Sequence, residues 1–241
     1  MTTTTLTIEP VYFGFADIGH GGYTAGLIAE QLSPLNADAL EAKFVAPPPL
    51  GVPLTLVEDE EAATLSDGDQ VIVEVRATVL ETELPALPSL GEATTASAAY
   101  AGFTSHPAPM CMTCGPDRDP GAGLRVFVGP VEGRELVAGA WTPNAAFTDT
   151  EGFVFPRFVW ASLDCPSYWA IASAHPDMGR VVTARLSADL RRPVPAGEPL
   201  VVIGWPLPKR GTRLFRSGAA IFTPGGQALA VAEATWINAD G

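Results

Sequence analysis

The chain has 241 residues, 47% of them hydrophobic and 17% charged, which is apolar material for one large domain or two small ones and too much for a disordered chain. A formal net charge of −13 argues against nucleic acid as a partner. No apolar run is long enough to span a membrane, and the first ten residues have neither a basic start nor an apolar core, so no membrane or secretory segment is expected.

Three sparse cysteines fit a reducing compartment, and a cytoplasmic location is expected. The charge is uneven. Residues 1–100 hold two bases, Lys43 and Arg76, against fifteen acids, whereas residues 101–241 hold twelve of each. An anionic ligand would find its counter-charges mainly in the second half.

In chain order, Leu6 to Phe15 reads as a short strand entering a glycine turn, Gly19-His20-Gly21-Gly22. A small-residue helix follows from Tyr23, and Pro34 ends it. Glycines before a helix allow close approach of another group, and the helix N-terminus offers unpaired N–H groups and a positive dipole end. Together they suit an anion or a developing oxyanion, although a purely structural turn has the same sequence. Residues 39–53 read as a strand with a proline-bent edge, continued by Leu54–Val57. Glu58–Glu61 is an acidic turn, Asp67–Asp69 a tight one, and Gln70–Val79 alternates like a half-buried strand.

Residues 82–123, rich in Pro, Ala, Gly, Ser and Thr, read as a linker with little regular structure between units 1–81 and 124–241. This segment holds Cys111-Met112-Thr113-Cys114. A C-x-x-C can be half of a zinc site or a redox pair, but only Cys165 and three scattered histidines remain as further ligands. No metal site is therefore assigned, and a thiol-bearing turn without a chemical role is the plainer reading. Beyond it, Leu124–Val128, Leu136–Trp141 and Val181–Asp189 look like strands. Pro199–Trp205, Thr212–Phe222 and Ala228–Ile237 do as well, with Gly225-Gly226 as a hairpin turn. Gly152–Ala172 looks like a buried helix with an early proline.

The halves resemble one another. Pro49-Leu50-Gly51-Val52-Pro53-Leu54 matches Pro195-Ala196-Gly197-Glu198-Pro199-Leu200, each preceding further strands. A helix after a strand, covered by an antiparallel sheet and present twice, resembles a tandem (double) hotdog fold of α+β class. The chain thus looks like the double-hotdog acyl-CoA thioesterases. His20-Gly21-Gly22 is similar to the motif that opens the hotdog helix in phenylacetyl-CoA-type thioesterases. Ala161-Ser162-Leu163-Asp164 is similar to the central-helix stretch that carries the catalytic aspartate of thioesterase II-like proteins.

In that family an acid follows the histidine of H-G-G along the same helix. Ala29 stands nine residues after His20, with Glu30 next to it, and Phe155, nine before Asp164, begins a stretch without paired glycines. The first half thus keeps the glycines and the second keeps the acid, so one composite site is expected. The resemblance implies thioester hydrolysis, with Gly21 and Gly22 amides polarising the carbonyl and Asp164 acting as general base or attacking directly. It implies no cofactor, a small acyl-CoA as substrate, and an assembly that can be a dimer of double hotdogs. His20, Tyr23, Arg157, Arg191 and Arg192 are the expected substrate contacts.

Alternatives stay open. Asp164 before Cys165-Pro166 could instead cap or kink a helix, and a carboxylate beside Cys165 would disfavour its thiolate. The glutamine of the thioesterase II last strand has no clean match, only Glu233 or Thr235. A non-catalytic acyl-CoA binder fits the same residues. An enoyl-CoA hydratase fits less well, because neither His106 nor His175 has a suitable acid partner.

Overall fold

The computed structural model describes residues 1–15, 17–32, 38–60 and 62–239. The first half contributes β1 (Thr2–Thr7), α1 (Gly21–Ala29), β2 (Ala39–Phe44), β3 (Pro53–Glu58), β4 (Ala62–Asp67) and β5 (Gln70–Thr78). After a short helix, α2 (Leu90–Ala98), come β6 (Gly129–Pro130), β7 (Val137–Trp141), α3 (Pro156–Ala174) and β8 (Val181–Leu190). The chain closes with β9 (Leu200–Arg210), β10 (Leu214–Phe222) and β11 (Ala228–Asn238).

Eleven strands form one sheet in the order β1-β3-β4-β5-β2-β8-β11-β10-β9-β7-β6, with every ladder antiparallel. The two halves have the same strand order: β1-β3-β4-β5-β2 in the first corresponds to β7-β9-β10-β11-β8 in the second. They join where β2 pairs with β8, from Leu40 opposite Ala188 to Lys43 opposite Arg185. The P-x-G-x-P-L repeats lead into the equivalent strands β3 and β9. Their glycines, Gly51 (φ 70°) and Gly197 (φ 79°), take the left-handed turn conformation that other residues avoid. This is the expected double hotdog.

α1 and α3 pack against each other and against the sheet, α1 touching β2, β5 and β8, and α3 touching β7 to β11. Gly22 and Gly26, one turn apart, let them approach to backbone contact. A Cβ at Gly22 would lie 2.6 Å from the Trp160 carbonyl oxygen, and one at Gly26 would lie 2.5 Å from Arg157 Cα. The glycine-rich start of α1 therefore serves helix–helix packing in addition to any ligand. Trp160, Leu163 and Ile171 of α3 are fully buried in the shared core.

Several expectations need correction. The stretch read as a linker with little regular structure contains α2, stabilised by a capping box in which Ser89 Oγ accepts from Glu92 N–H and the Glu92 carboxylate accepts from Ser89 N–H. Leu124–Val128 forms no strand, the ladder starting at Gly129, and β4 lies between two turns where no strand was expected. Pro34, expected to end α1, and Glu61 of the acidic turn lie outside the described residues. The described part of α1 ends at Ala29, with Glu30 as its C-cap. Among the described residues, no helix is long and apolar enough to cross a membrane.

Candidate functional site

α1 begins at Gly21 because His20 caps it: extended at φ −63° and ψ 126°, it accepts the Tyr23 N–H on Nδ1 at 3.3 Å. Of the first-turn N–H groups, those of Tyr23 and Thr24 bond His20, and that of Gly22 points at α3. There the Gly22 N–H donates to Asp164 Oδ2 at 2.8 Å. Asp164 is not at the start of its own helix. It stands mid-way along α3, where it caps the N-terminus of the other half's helix. Its second oxygen, Oδ1, accepts from the Thr183 hydroxyl at 3.2 Å, and His20 Nδ1 lies 3.6 Å from Oδ2.

Both His20 and Asp164 are buried. Burial raises the Asp164 carboxyl above its ordinary range, opposed by the neighbouring imidazole, the Gly22 N–H and Thr183. Burial also works to lower His20, but the Cys111 sulfur and the Asp164 carboxylate outweigh it, and His20 is raised.

The cysteine loop closes over this point. Met112 N–H donates to Phe13 O at 3.0 Å, and buried Arg118 donates to the carbonyls of Val11 and Met110, which fastens residues 110–118 to the segment preceding α1. Cys111 Sγ thereby comes within 3.8 Å of Cys165 Sγ, and His20 Nε2 lies 3.3 Å from Cys165 Sγ. All three cysteines are free thiols and buried. Hydrogen bonds from the other two thiols draw Cys111 well down, while burial pushes Cys114 and Cys165 well up. Cys165 is thus a poor thiolate, as expected, but burial and its fellow thiols are responsible, not Asp164.

A cavity of about 400 Å³, within the ordinary range for a small-ligand site, has this cluster on its wall. Its lining is mostly apolar, including Ile18, Phe44, Pro48, Tyr168 and Trp236. Gly21, His20, Thr183 and Asp164 supply the polar part. The structure therefore brings together His20, Gly21, Gly22 and Asp164.

It separates the remaining candidates from the cavity. Tyr23 stacks on Tyr12 at 4.3 Å and is core. Arg157 is held by Glu30, its Nη1 2.5 Å from Oε2 and its backbone N–H 2.9 Å from Oε1. Arg191 pairs with Asp189 at 2.7 Å. Arg191 and Arg192 follow the far end of β8, about 25 Å along the strand from Thr183 at the usual rise per residue. Gly22 lines up with the acid, but its N–H is already committed to Asp164; Gly19 and Gly21 are the glycines of the turn that line the cavity, and the Gly19 N–H is bonded to Pro48 O. From the last strand, Trp236 and Ile237 reach the cavity, whereas Glu233 is bound to Arg216 at 2.9 Å and Thr235 is absent from the lining.

Thr183 and Cys111 are the site residues that sequence reasoning missed. Nothing in a threonine on an alternating strand marks it. Cys111 was visible, but its partner Cys165 lies 54 positions away.

No protein-family model matches the sequence, and no curated protein matches it. Solved structures do. A TesB protein from Mycobacterium avium subsp. paratuberculosis superposes with a TM-score of 0.60 at 13% identity, over 98% of this chain and 92% of that one. The acyl-CoA thioesterase II TesB2 from Mycobacterium marinum gives 0.60 at 12% identity, over 98% and 92%. A hot dog fold protein of unknown function from Alicyclobacillus acidocaldarius gives 0.59 at 12%, again over 98% and 92%. At such identities the likeness is one of fold: a double hotdog built like the thioesterase II proteins.

Proposed function

We propose that the chain hydrolyses an acyl-CoA thioester at a site shared by its two halves. The observation that carries this reading is the hydrogen bond from Gly22 N–H to Asp164 Oδ2, 2.8 Å long, on the wall of an apolar cavity. The thioesterase II likeness of the fold supports it.

The acyl chain occupies the cavity between Ile18, Phe44 and Trp236. The thioester carbonyl sits against the Gly21 N–H at the start of α1, where amide and helix dipole favour developing negative charge. Gly22 acts differently, since together with Thr183 it fixes the Asp164 carboxylate in one orientation. Asp164 takes a proton from water as the water oxygen attacks the carbonyl carbon. Collapse of the tetrahedral intermediate breaks the C–S bond, and the proton passes to the leaving thiolate. The products are a carboxylic acid and the thiol of coenzyme A.

An acyl-CoA panel spanning short to long chains, read by release of free thiol, tests the proposal. Saturable turnover at some chain length is expected, and its absence at every length contradicts it. One observation favours a second reading, that of an acyl-CoA binder without turnover: Trp236 and Ile237, not a polar side chain, face the cavity from the last strand, so nothing there positions water. Tight binding without thiol release would select it.

A further inference from the structure

The thiols of Cys111 and Cys165 and the imidazole of His20 come from three separate segments, and hydrolysis as described uses none of the sulfurs. Their donor atoms, Cys111 Sγ, Cys165 Sγ and a ring nitrogen of His20, all lie within 4.8 Å of one another, and all three residues are buried. Zinc takes sulfur at about 2.3 Å and nitrogen at about 2.0–2.1 Å in tetrahedral sites, which requires S···S separations of about 3.8 Å and N···S separations of about 3.5 Å. The observed Cys111–Cys165 and His20–Cys165 separations are 3.8 and 3.3 Å. Three protein ligands of this softness suit zinc better than magnesium, calcium or manganese.

The surroundings fit as well. Ligation through Nε2 requires the ring proton of His20 on Nδ1, so the Tyr23 N–H that Nδ1 accepts in this structure gives way to Asp164 Oδ2, 3.6 Å away, in the order carboxylate, histidine, metal. Cys114 bonds Cys111 but lies outside the three-ligand cluster, and His106 also engages its thiol. His106 Nδ1 accepts the Ala108 N–H at 2.8 Å, so its Nε2 carries the proton that is shared with Cys114 Sγ at 3.3 Å. The three ligands also line the cavity, which lets an ion reach them and leaves a fourth coordination position for water or a ligand.

We infer that Cys111, Cys165 and His20 form a three-ligand site for a zinc-class cation in the cavity wall, open on its fourth side. Metal retention is measured without substrate, so this inference and the thioesterase reading fail separately.

The test uses the full chain, purified under reducing conditions without chelator. Elemental analysis should find close to one zinc per chain. After chelator stripping, Co2+ should give the visible bands of tetrahedral cobalt and a thiolate-to-cobalt charge-transfer band. Cys111→Ser and Cys165→Ser should each weaken Co2+ binding about a hundredfold, and Cys114→Ser should leave one ion per chain. As a check that needs no variant, Zn2+ should protect Cys111 and Cys165 of the stripped wild-type chain from alkylation. An octahedral cobalt spectrum, alkylation of Cys111 and Cys165 unaffected by Zn2+, or a Cys111–Cys165 disulfide in place of metal would overturn the inference.

Discussion

Glu30, at the C-terminal end of α1, accepts the backbone N–H of Arg157 at the start of α3 at 2.9 Å, and its other oxygen binds the Arg157 guanidinium. This is the counterpart of Asp164 accepting the Gly22 N–H at 2.8 Å. Each central helix thus carries an acid that caps the other helix. The two caps differ in what stands beside them. Glu30 meets a guanidinium that also stacks over Phe155 at 4.2 Å. Asp164 meets a cavity. At the position pseudo-symmetric to the proposed site, Glu30 and Arg157 clamp the two helices together.

Glu30→Gln is therefore expected to act on stability. It removes a charge-assisted hydrogen bond at a partly buried pair, a loss of about 1.5–3 kcal/mol. Urea unfolding followed by fluorescence should show the lower midpoint, while hydrolysis by the folded enzyme stays near the wild-type rate.

Gly26→Ala pushes a methyl group to 2.5 Å from Arg157 Cα, and backbone cannot step aside cheaply. Overpacking of this kind costs about 1–3 kcal/mol. Gly22→Ala meets the Trp160 carbonyl and the Asp164 Cβ, so it should also displace the acid. Thermal unfolding is expected to show both variants destabilised, with the larger loss of turnover in Gly22→Ala.

Thr183→Val keeps the side-chain shape and removes the donor to Asp164 Oδ1. One hydrogen bond to a charged group contributes about 1.5 kcal/mol, so kcat should fall roughly tenfold with little change in KM. An unchanged kcat would mean that Thr183 does not orient the acid.

Ile18 lines the cavity, and Ile18→Trp reduces its volume. The acyl-CoA panel should then shift toward shorter chains, through a rise in KM for the longest substrates tested.

Much of this arrangement was legible in the sequence, because it rests on local signals. The P-x-G-x-P-L repeats marked where the chain turns into β3 and into β9, since only a glycine turn delivers it there. His20-Gly21-Gly22 marked a helix start that something approaches closely, and Asp164 marked the acid of the other half. The capping box at Ser89 and Glu92 was equally local, but it was hidden by the Pro- and Ala-rich composition around it. What could not be read was tertiary. The Tyr23 ring and the Arg157 guanidinium face the helix interface because α1 and α3 touch along Gly22 and Gly26, a relation no single segment encodes. Thr183 and the meeting of Cys111 with Cys165 depend on β8 and a distant loop arriving at one point.

Asp164→Asn tests the central claim most directly, because it keeps the size of the side chain and removes its charge and basicity. On the best substrate of the panel, turnover should fall on the order of a hundredfold or more, as for a positioned general base, with acyl-CoA binding nearly unchanged. Wild-type turnover in Asp164→Asn, together with abolished hydrolysis in folded Glu30→Gln, would contradict the account and move the working site to the other end of the helix pair.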